Sequence, residues 1–164
     1  MPHHSSGLLL MLFALLLSGT APAAPPNPAA PWGRATSQSV DYTPQKVVYD
    51  VAVQSEEAFS RVLDRASYLN NVYAADPFSA SIVLVLHGKE MLFFAISNYD
   101  RYKELMTRAQ SLTVGGTIEI RMCETAARGY GLTPPELHGF VQMVPMADAE
   151  IVRLQQESGY AYMQ

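Results

Sequence analysis

The chain has 164 residues, with 11 Lys and Arg against 15 Asp and Glu, and its formal net charge is −4. The charges are interspersed, without a basic stripe or an aromatic set spaced to stack on bases, so nucleic acid is not expected as a partner. Cys123 is the only cysteine, which excludes an internal disulfide.

The N-terminal segment has the pattern of an export signal. Residues 8–17 form an unbroken apolar run, and residues 21–23 (Ala-Pro-Ala) resemble a processing site. The run is shorter than the ~20 residues that cross a bilayer core. We therefore expect a signal peptide over residues 1–23, no stable membrane insertion, and a periplasmic or secreted protein.

Residues 24–45 are rich in Pro, Ala, Ser, Thr and Gln. Such a composition buries too little apolar surface to offset the entropy of ordering the chain, so we predict a disordered linker over 24–45. The remaining 46–164 is long enough to bury a core and is predicted to be one domain.

The domain begins with alternating strand and helix patterns. Residues 46–53 are β-rich, and Ser55 then has the character of an N-cap, with acidic residues in the first turn. Apolar residues follow at helical spacing and predict an amphipathic helix on a sheet; they are Phe59, Val62, Leu63, Ala66, Leu69 and Tyr73.

Residues 81–86 form a continuous apolar run that ends at His87, which is typical of a parallel strand buried on both faces. Asn98 is predicted to open a second amphipathic helix, and Gly159 is predicted to end the last one. The order of the remaining elements is a strand to Met122, a short helix, a strand over 140–144, a helix over 147–158 and an edge strand at 160–162. The alternation predicts an α/β three-layer sandwich with a mainly parallel sheet of about five strands.

Two candidate site residues follow predicted strands, and parallel sheets bind ligands beyond the carboxyl ends of their strands. Cys123 is either a buried inert side chain, an intermolecular link or a free reactive thiol. His87 either orients or deprotonates a bound group, or is a hydrogen-bonded structural histidine. Arg121 and Arg128 are expected to add positive potential near the sulfur, and Glu124 opposes it.

Other chemistries lack a recognisable motif. The chain has no dinucleotide or Walker-type glycine loop, no Gly-x-Ser-x-Gly elbow and no recognised metal spacing, so no cofactor and no metal are expected. Met122 beside Cys123, together with His87, could offer soft ligands to copper or haem iron, but the spacing of these residues matches no recognised metal motif. Asp50, Glu119 and Glu124 are scattered over predicted strand and turn positions, and their spacing identifies no acid–base pair.

Three segments resemble the DsrE/DsrF-like family, over residues 46–164. They are Leu-His-Gly at 86–88, Cys-x-Thr-Ala-Ala-Arg-Gly at 123–129, and the ending from Val-Pro at 144–145 to Gly-Tyr-Ala-Tyr at 159–162. The resemblance implies a flavodoxin-like fold and a homo-oligomer, either a trimer or a hexamer, with Tyr130, Tyr160 and Tyr162 at positions of subunit contact; core packing explains these tyrosines almost as well.

The resemblance also implies a chemistry for Cys123. In the sulfur-relay branch of the family, the cysteine that corresponds to Cys123 accepts a sulfane sulfur as a persulfide and passes it on. An exported chain has no access to the cytoplasmic acceptors, so its donor and acceptor would be different and unknown. The alternative is a non-catalytic, homo-oligomeric ligand-binding or assembly module in which Cys123 is structural.

Overall fold

The computed structural model describes residue 30 and residues 32–164. The predicted signal peptide over residues 1–23 lies outside the described residues, as does the start of the predicted linker. The described part of residues 24–45 has neither helix nor strand, and the first strand begins at Lys46. Residues 40–164 form one compact unit.

Strands and helices alternate along this unit, as the sequence predicts. The strands are β1 Lys46–Val51, β2 Ser81–Leu86, β3 Ile118–Cys123, β4 Val141–Val144 and β5 Ala161–Met163. The α-helices are α1 Glu56–Val72, α2 Tyr99–Thr113, α3 Glu124–Gly129 and α4 Ala147–Ser158. Short 3-10 turns occupy Lys89–Phe94, Ile96–Asn98 and Pro134–Glu136.

Within the described residues, the five strands form one sheet in the order β4-β3-β2-β1-β5. Every neighbouring pair is parallel, so the sheet is wholly parallel where the sequence predicted a mainly parallel one. The architecture is an α/β flavodoxin-like sandwich. Because all strands run the same way, their carboxyl ends lie along a single edge of the sheet.

Strand β2 lies at the centre of both hydrophobic layers. Its side chains alternate between the two faces of the sheet, as they must in an extended strand. Ile82, Leu84 and Leu86 belong to the apolar cluster that includes α1 and α2. Val83 and Val85 belong to a second cluster that includes α4, and we call that side of the sheet the α4 face.

Local signals set the ends of two helices at the predicted positions. The Ala58 N–H donates to Ser55 Oγ at 3.2 Å, which satisfies one of the free amides at the start of α1. Gly159 follows α4 with φ of 73°, a left-handed conformation that glycine adopts without a Cβ penalty. The chain can therefore turn sharply from α4 into β5.

A buried carboxylate joins the loops that follow β1 and β2. The Glu90 side chain accepts the backbone N–H of Gly88 and that of Val53, both at 2.8 Å. The loops approach closely at Gly88, where a Cβ would lie 2.7 Å from Ala52 Cα and 2.5 Å from Glu90 Oε2. The position therefore has no room for a side chain.

We expect Gly88→Ala to destabilise the fold by about 1–3 kcal/mol, the usual cost of forcing an extra methyl group into a packed site. The measurement is the free energy of unfolding in urea. The matched control is Gly139→Ala, because a Cβ at Gly139 meets no atom within 4 Å. Equal destabilisation of the two variants would contradict the close approach at Gly88.

Candidate functional site

A chain of hydrogen bonds crosses three neighbouring strands at the carboxyl edge of the sheet. His87 directly follows β2, and its Nε2 lies 2.6 Å from Oδ1 of Asp50 near the end of β1. The other carboxylate oxygen of Asp50 accepts the hydroxyl of Tyr162, in β5, at 2.6 Å. The His87 and Asp50 side chains are 28% and 23% exposed, so both are partly shielded yet within reach of solvent.

The parallel register explains why these side chains meet. Val48 points to the α4 face, and Asp50, two residues further along β1, points the same way. Tyr162 is the register partner of Val48, so its side chain also leaves the sheet on the α4 face. The three polar groups therefore gather on one face at one edge.

The hydrogen bonds shift the pKa values of Asp50 and Tyr162. Burial alone would raise the pKa of Asp50, but the hydrogen bonds from Tyr162 and His87 outweigh it and lower that pKa below its ordinary value. The pKa of Tyr162 is raised, chiefly because its hydroxyl donates to the Asp50 carboxylate. Asp50 is therefore an anion and Tyr162 a neutral donor at neutral pH.

Cys123 is the last residue of β3 and the N-cap of α3. Its Sγ accepts the backbone N–H of Ala126 at 3.4 Å, which confirms that a short helix follows the cysteine. The residue is 4% exposed. It packs in the apolar cluster of the α4 face, whose buried members also include Val48, Val83, Val85, Ala147, Ile151 and Leu154.

The register brings the two predicted site residues to adjacent positions. Leu86 of β2 pairs with Met122 of β3 as the last paired positions of these strands, and His87 and Cys123 are the next residues along the chain from them. Neighbouring strands lie about 4.7–4.9 Å apart in the hydrogen-bonding direction. Met122 is buried in the cluster on the opposite face, so it does not join the cysteine and histidine in a ligand set.

Arg121 and Arg128, the basic residues near the cysteine, are hydrogen bonded to neighbouring side chains. Arg121 lies on the α4 face, where it donates to Glu119 at 2.6 Å and also to Glu150 of α4. Arg128 donates to Thr125 Oγ1 at 3.3 Å. The expected positive potential of Arg121 at the sulfur is therefore offset by two carboxylates, and its guanidinium instead ties β3 to α4.

The sequence interpretation missed two members of the site. The spacing of Asp50 along the sequence identifies no acid–base pair, and only the structure shows its hydrogen bond to His87. The sequence interpretation of Tyr162 as a residue of subunit contacts or core packing did not include the hydrogen bond that its hydroxyl donates to Asp50. A polar residue near the end of an otherwise apolar strand was the one available signal for Asp50.

Residues 30 and 32–164 contain no group of three or more His, Cys, Asp or Glu side chains placed to hold a metal ion. Across the same residues, none of the helices has the length and apolar character needed to traverse a bilayer.

Comparison with known proteins identifies the fold and leaves the activity open. No family model matches the chain, and no curated protein matches it. Among solved structures, it is similar to the protein of unknown function MTH1491 from Methanobacterium thermoautotrophicum, at 25% identity and a TM-score of 0.51. The match covers 73% of this chain and 97% of that one. Membership of the DsrE/DsrF-like family stays a prediction from the sequence.

The lowered pKa of Asp50 predicts a specific acid sensitivity. A carboxylate with a lowered folded-state pKa adds to the free energy of unfolding above the unfolded-chain value of about 3.9, and this contribution is lost as pH falls through the folded-state pKa. Asp50→Asn removes this titration. We therefore expect the free energy of unfolding to fall less steeply in the variant than in the wild type between about pH 5 and pH 2.

The measurement is urea unfolding at a series of pH values. Asp41→Asn is the control, because Asp41 is exposed and precedes β1. If the free energy of unfolding of Asp50→Asn falls with decreasing pH as steeply as that of the wild type and of the control, the assignment of Asp50 as a stabilised carboxylate is contradicted.

Proposed function

We propose that this protein is an exported, homo-oligomeric sulfur carrier in which Cys123 accepts a sulfane sulfur as a persulfide. The observation that carries the proposal is that Cys123 and His87 each directly follow the last paired positions, Met122 and Leu86, of two neighbouring strands at the carboxyl edge of a parallel sheet. That edge is where open α/β sheets bind their ligands. The resemblance of residues 123–129 to the DsrE/DsrF-like cysteine segment supports the same chemistry.

The proposed reaction needs no cofactor, because the donor brings the sulfur in the required oxidation state. The Cys123 thiol loses its proton, and the thiolate attacks the terminal sulfane sulfur of a polysulfide. A new sulfur–sulfur bond forms at Sγ while the corresponding bond of the donor breaks. The shortened polysulfide leaves with the electron pair, and attack by an acceptor thiol on the outer sulfur later releases the cargo.

Two groups lie where they can act on the Cys123 sulfur. The Ala126 N–H donates a hydrogen bond to Sγ at 3.4 Å. His87 provides a proton acceptor on the adjacent strand. Cys123 is a free cysteine, and the described residues contain no group of three or more side chains placed to hold a metal ion.

The burial of Cys123 favours a second candidate from a different class. The residue is 4% exposed and packs among aliphatic side chains, as cysteines that act as small hydrophobic residues do. In this alternative, the protein is a ligand-binding or assembly module and Cys123 is a structural residue. The two candidates differ in whether a sulfur donor reaches Sγ in the folded protein.

Mass spectrometry of the intact protein separates them. We expect the native protein, after incubation with polysulfide, to gain the mass of one sulfur atom and to lose it on addition of a reductant. Cys123→Ser should gain nothing, because the serine hydroxyl forms no persulfide. Peptide mapping would then place the added sulfur on residue 123.

The same incubation in denaturant is the control for access. Sulfur uptake by the unfolded chain alone, with the native protein unmodified, would contradict the carrier proposal and favour the structural cysteine. Uptake by both forms with a faster native rate would support a site that activates the thiol.

A further inference from the structure

We propose that Asp50 and Tyr162 are positioning residues for His87. They hold its imidazole as the Nε2–H tautomer, so that Nδ1 accepts the proton that the Cys123 thiol loses. This inference rests on the proposed function, and it names the residues that would prepare the proton acceptor. It depends on the hydrogen-bond chain across β2, β1 and β5.

The ionisation of Asp50 determines which nitrogen carries the proton. An ionised carboxylate accepts hydrogen bonds and donates none, so both of its neighbours must be donors. Tyr162 donates its hydroxyl to Oδ2, and His87 therefore donates Nε2–H to Oδ1. In a neutral imidazole, a proton on Nε2 leaves Nδ1 with a free lone pair.

The order of the strands determines where that lone pair faces. Strand β2 lies between β1, which carries Asp50, and β3, which ends at Cys123. The two nitrogens of an imidazole face different sides of the ring, so with Nε2 bonded to Asp50 of β1 the proposal assigns Nδ1 to the side on which β3 lies. Among the described residues, no hydrogen bond involves Nδ1, and the atom is available to a thiol or a substrate.

Tyr162 restrains the carboxylate itself. Its hydroxyl occupies the second oxygen of Asp50 and links the three-residue edge strand β5 to the end of β1. With both oxygens engaged, the carboxylate has one preferred rotation, and so does the imidazole that it binds. Glu90 is another carboxylate near His87, but its two oxygens bind the Gly88 and Val53 amides and stabilise the loop.

Protons balance over one sulfur transfer. The S–H bond of Cys123 breaks and its proton moves to Nδ1, which gives an imidazolium that Asp50 stabilises through Nε2–H. The thiolate forms the new sulfur–sulfur bond, and the departing polysulfide anion then takes the proton from Nδ1. His87 ends as the same neutral tautomer, ready for another cycle.

The first measurement is ¹⁵N NMR of the histidine-labelled full chain, which distinguishes the two tautomers of a neutral imidazole. The signals of His87 are identified by their loss in His87→Gln. We expect the Nε2–H tautomer in the wild type, a mixture of both tautomers in Asp50→Asn, and a smaller shift in the same direction in Tyr162→Phe. Tyr160→Phe is the matched control, because the Tyr160 hydroxyl binds Ser81 at 2.8 Å instead of Asp50.

The second measurement is the rate at which iodoacetamide alkylates Cys123 in the native protein. We expect His87→Gln and Asp50→Asn each to slow the reaction by about 100-fold, the lower end of what a positioned proton acceptor contributes. The double variant should be no slower than His87→Gln, because Asp50 acts only through His87. Asp50→Glu should restore part of the lost rate, since it returns a carboxylate to the site.

A His87 tautomer that does not respond to Asp50→Asn or Tyr162→Phe overturns the inference, and so do additive rate losses in the double variant. Should Asp50→Asn fail to fold, the tautomer in Tyr162→Phe decides. Wild-type protein that takes up no sulfur, but shows the coupled tautomer and rate changes, contradicts the carrier and supports the positioning. Normal sulfur uptake, with a His87 tautomer that Asp50→Asn does not change, would support the carrier and contradict the positioning role.

Discussion

Strand β2 must be covered on both faces, and the rest of the molecule follows from that constraint. Residues 82–86 are completely buried, so an apolar layer is required on each side of the sheet. Helices α1 and α2 cover one face and α4 covers the other. Because each strand runs parallel to its neighbours, every crossover returns the chain to the same end. The carboxyl ends, with His87 and Cys123 among them, are thereby gathered at one edge.

The α4 face differs from its counterpart because it combines apolar packing with polar links. Val83, Val85 and Cys123 pack with α4, while Arg121 bonds to Glu150 from that helix. Partly buried charges of this kind are tolerated when they are paired, and removal of one partner is costly. The pairing sets the position of α4, and α4 in turn delivers β5 to the free edge of β1. Tyr162 reaches Asp50 by this route.

The fold by itself leaves the activity undecided, since one fold supports many unrelated functions. The similar solved structure is itself of a protein of unknown function. The proposed sulfur chemistry therefore depends on particular groups: a thiol that accepts a backbone N–H, and an imidazole that is hydrogen bonded to a carboxylate. The low exposure of Cys123 opposes this chemistry. The low exposure and the hydrogen bond from the Ala126 N–H both follow from the position of Cys123 at the junction of β3 and α3.

The sequence by itself determined the succession of strands and helices, the cap at Ser55, the stop at Gly159 and the location of His87 and Cys123 at the carboxyl ends of their strands. These features depend on periodicity and on interactions between residues a few positions apart, which a sequence displays directly. Only the tertiary structure decided that Asp50 binds His87, 37 residues away, and Tyr162, 112 residues away. Such contacts depend on strand order and register, and neither can be read from the spacing of residues that are close together in the sequence.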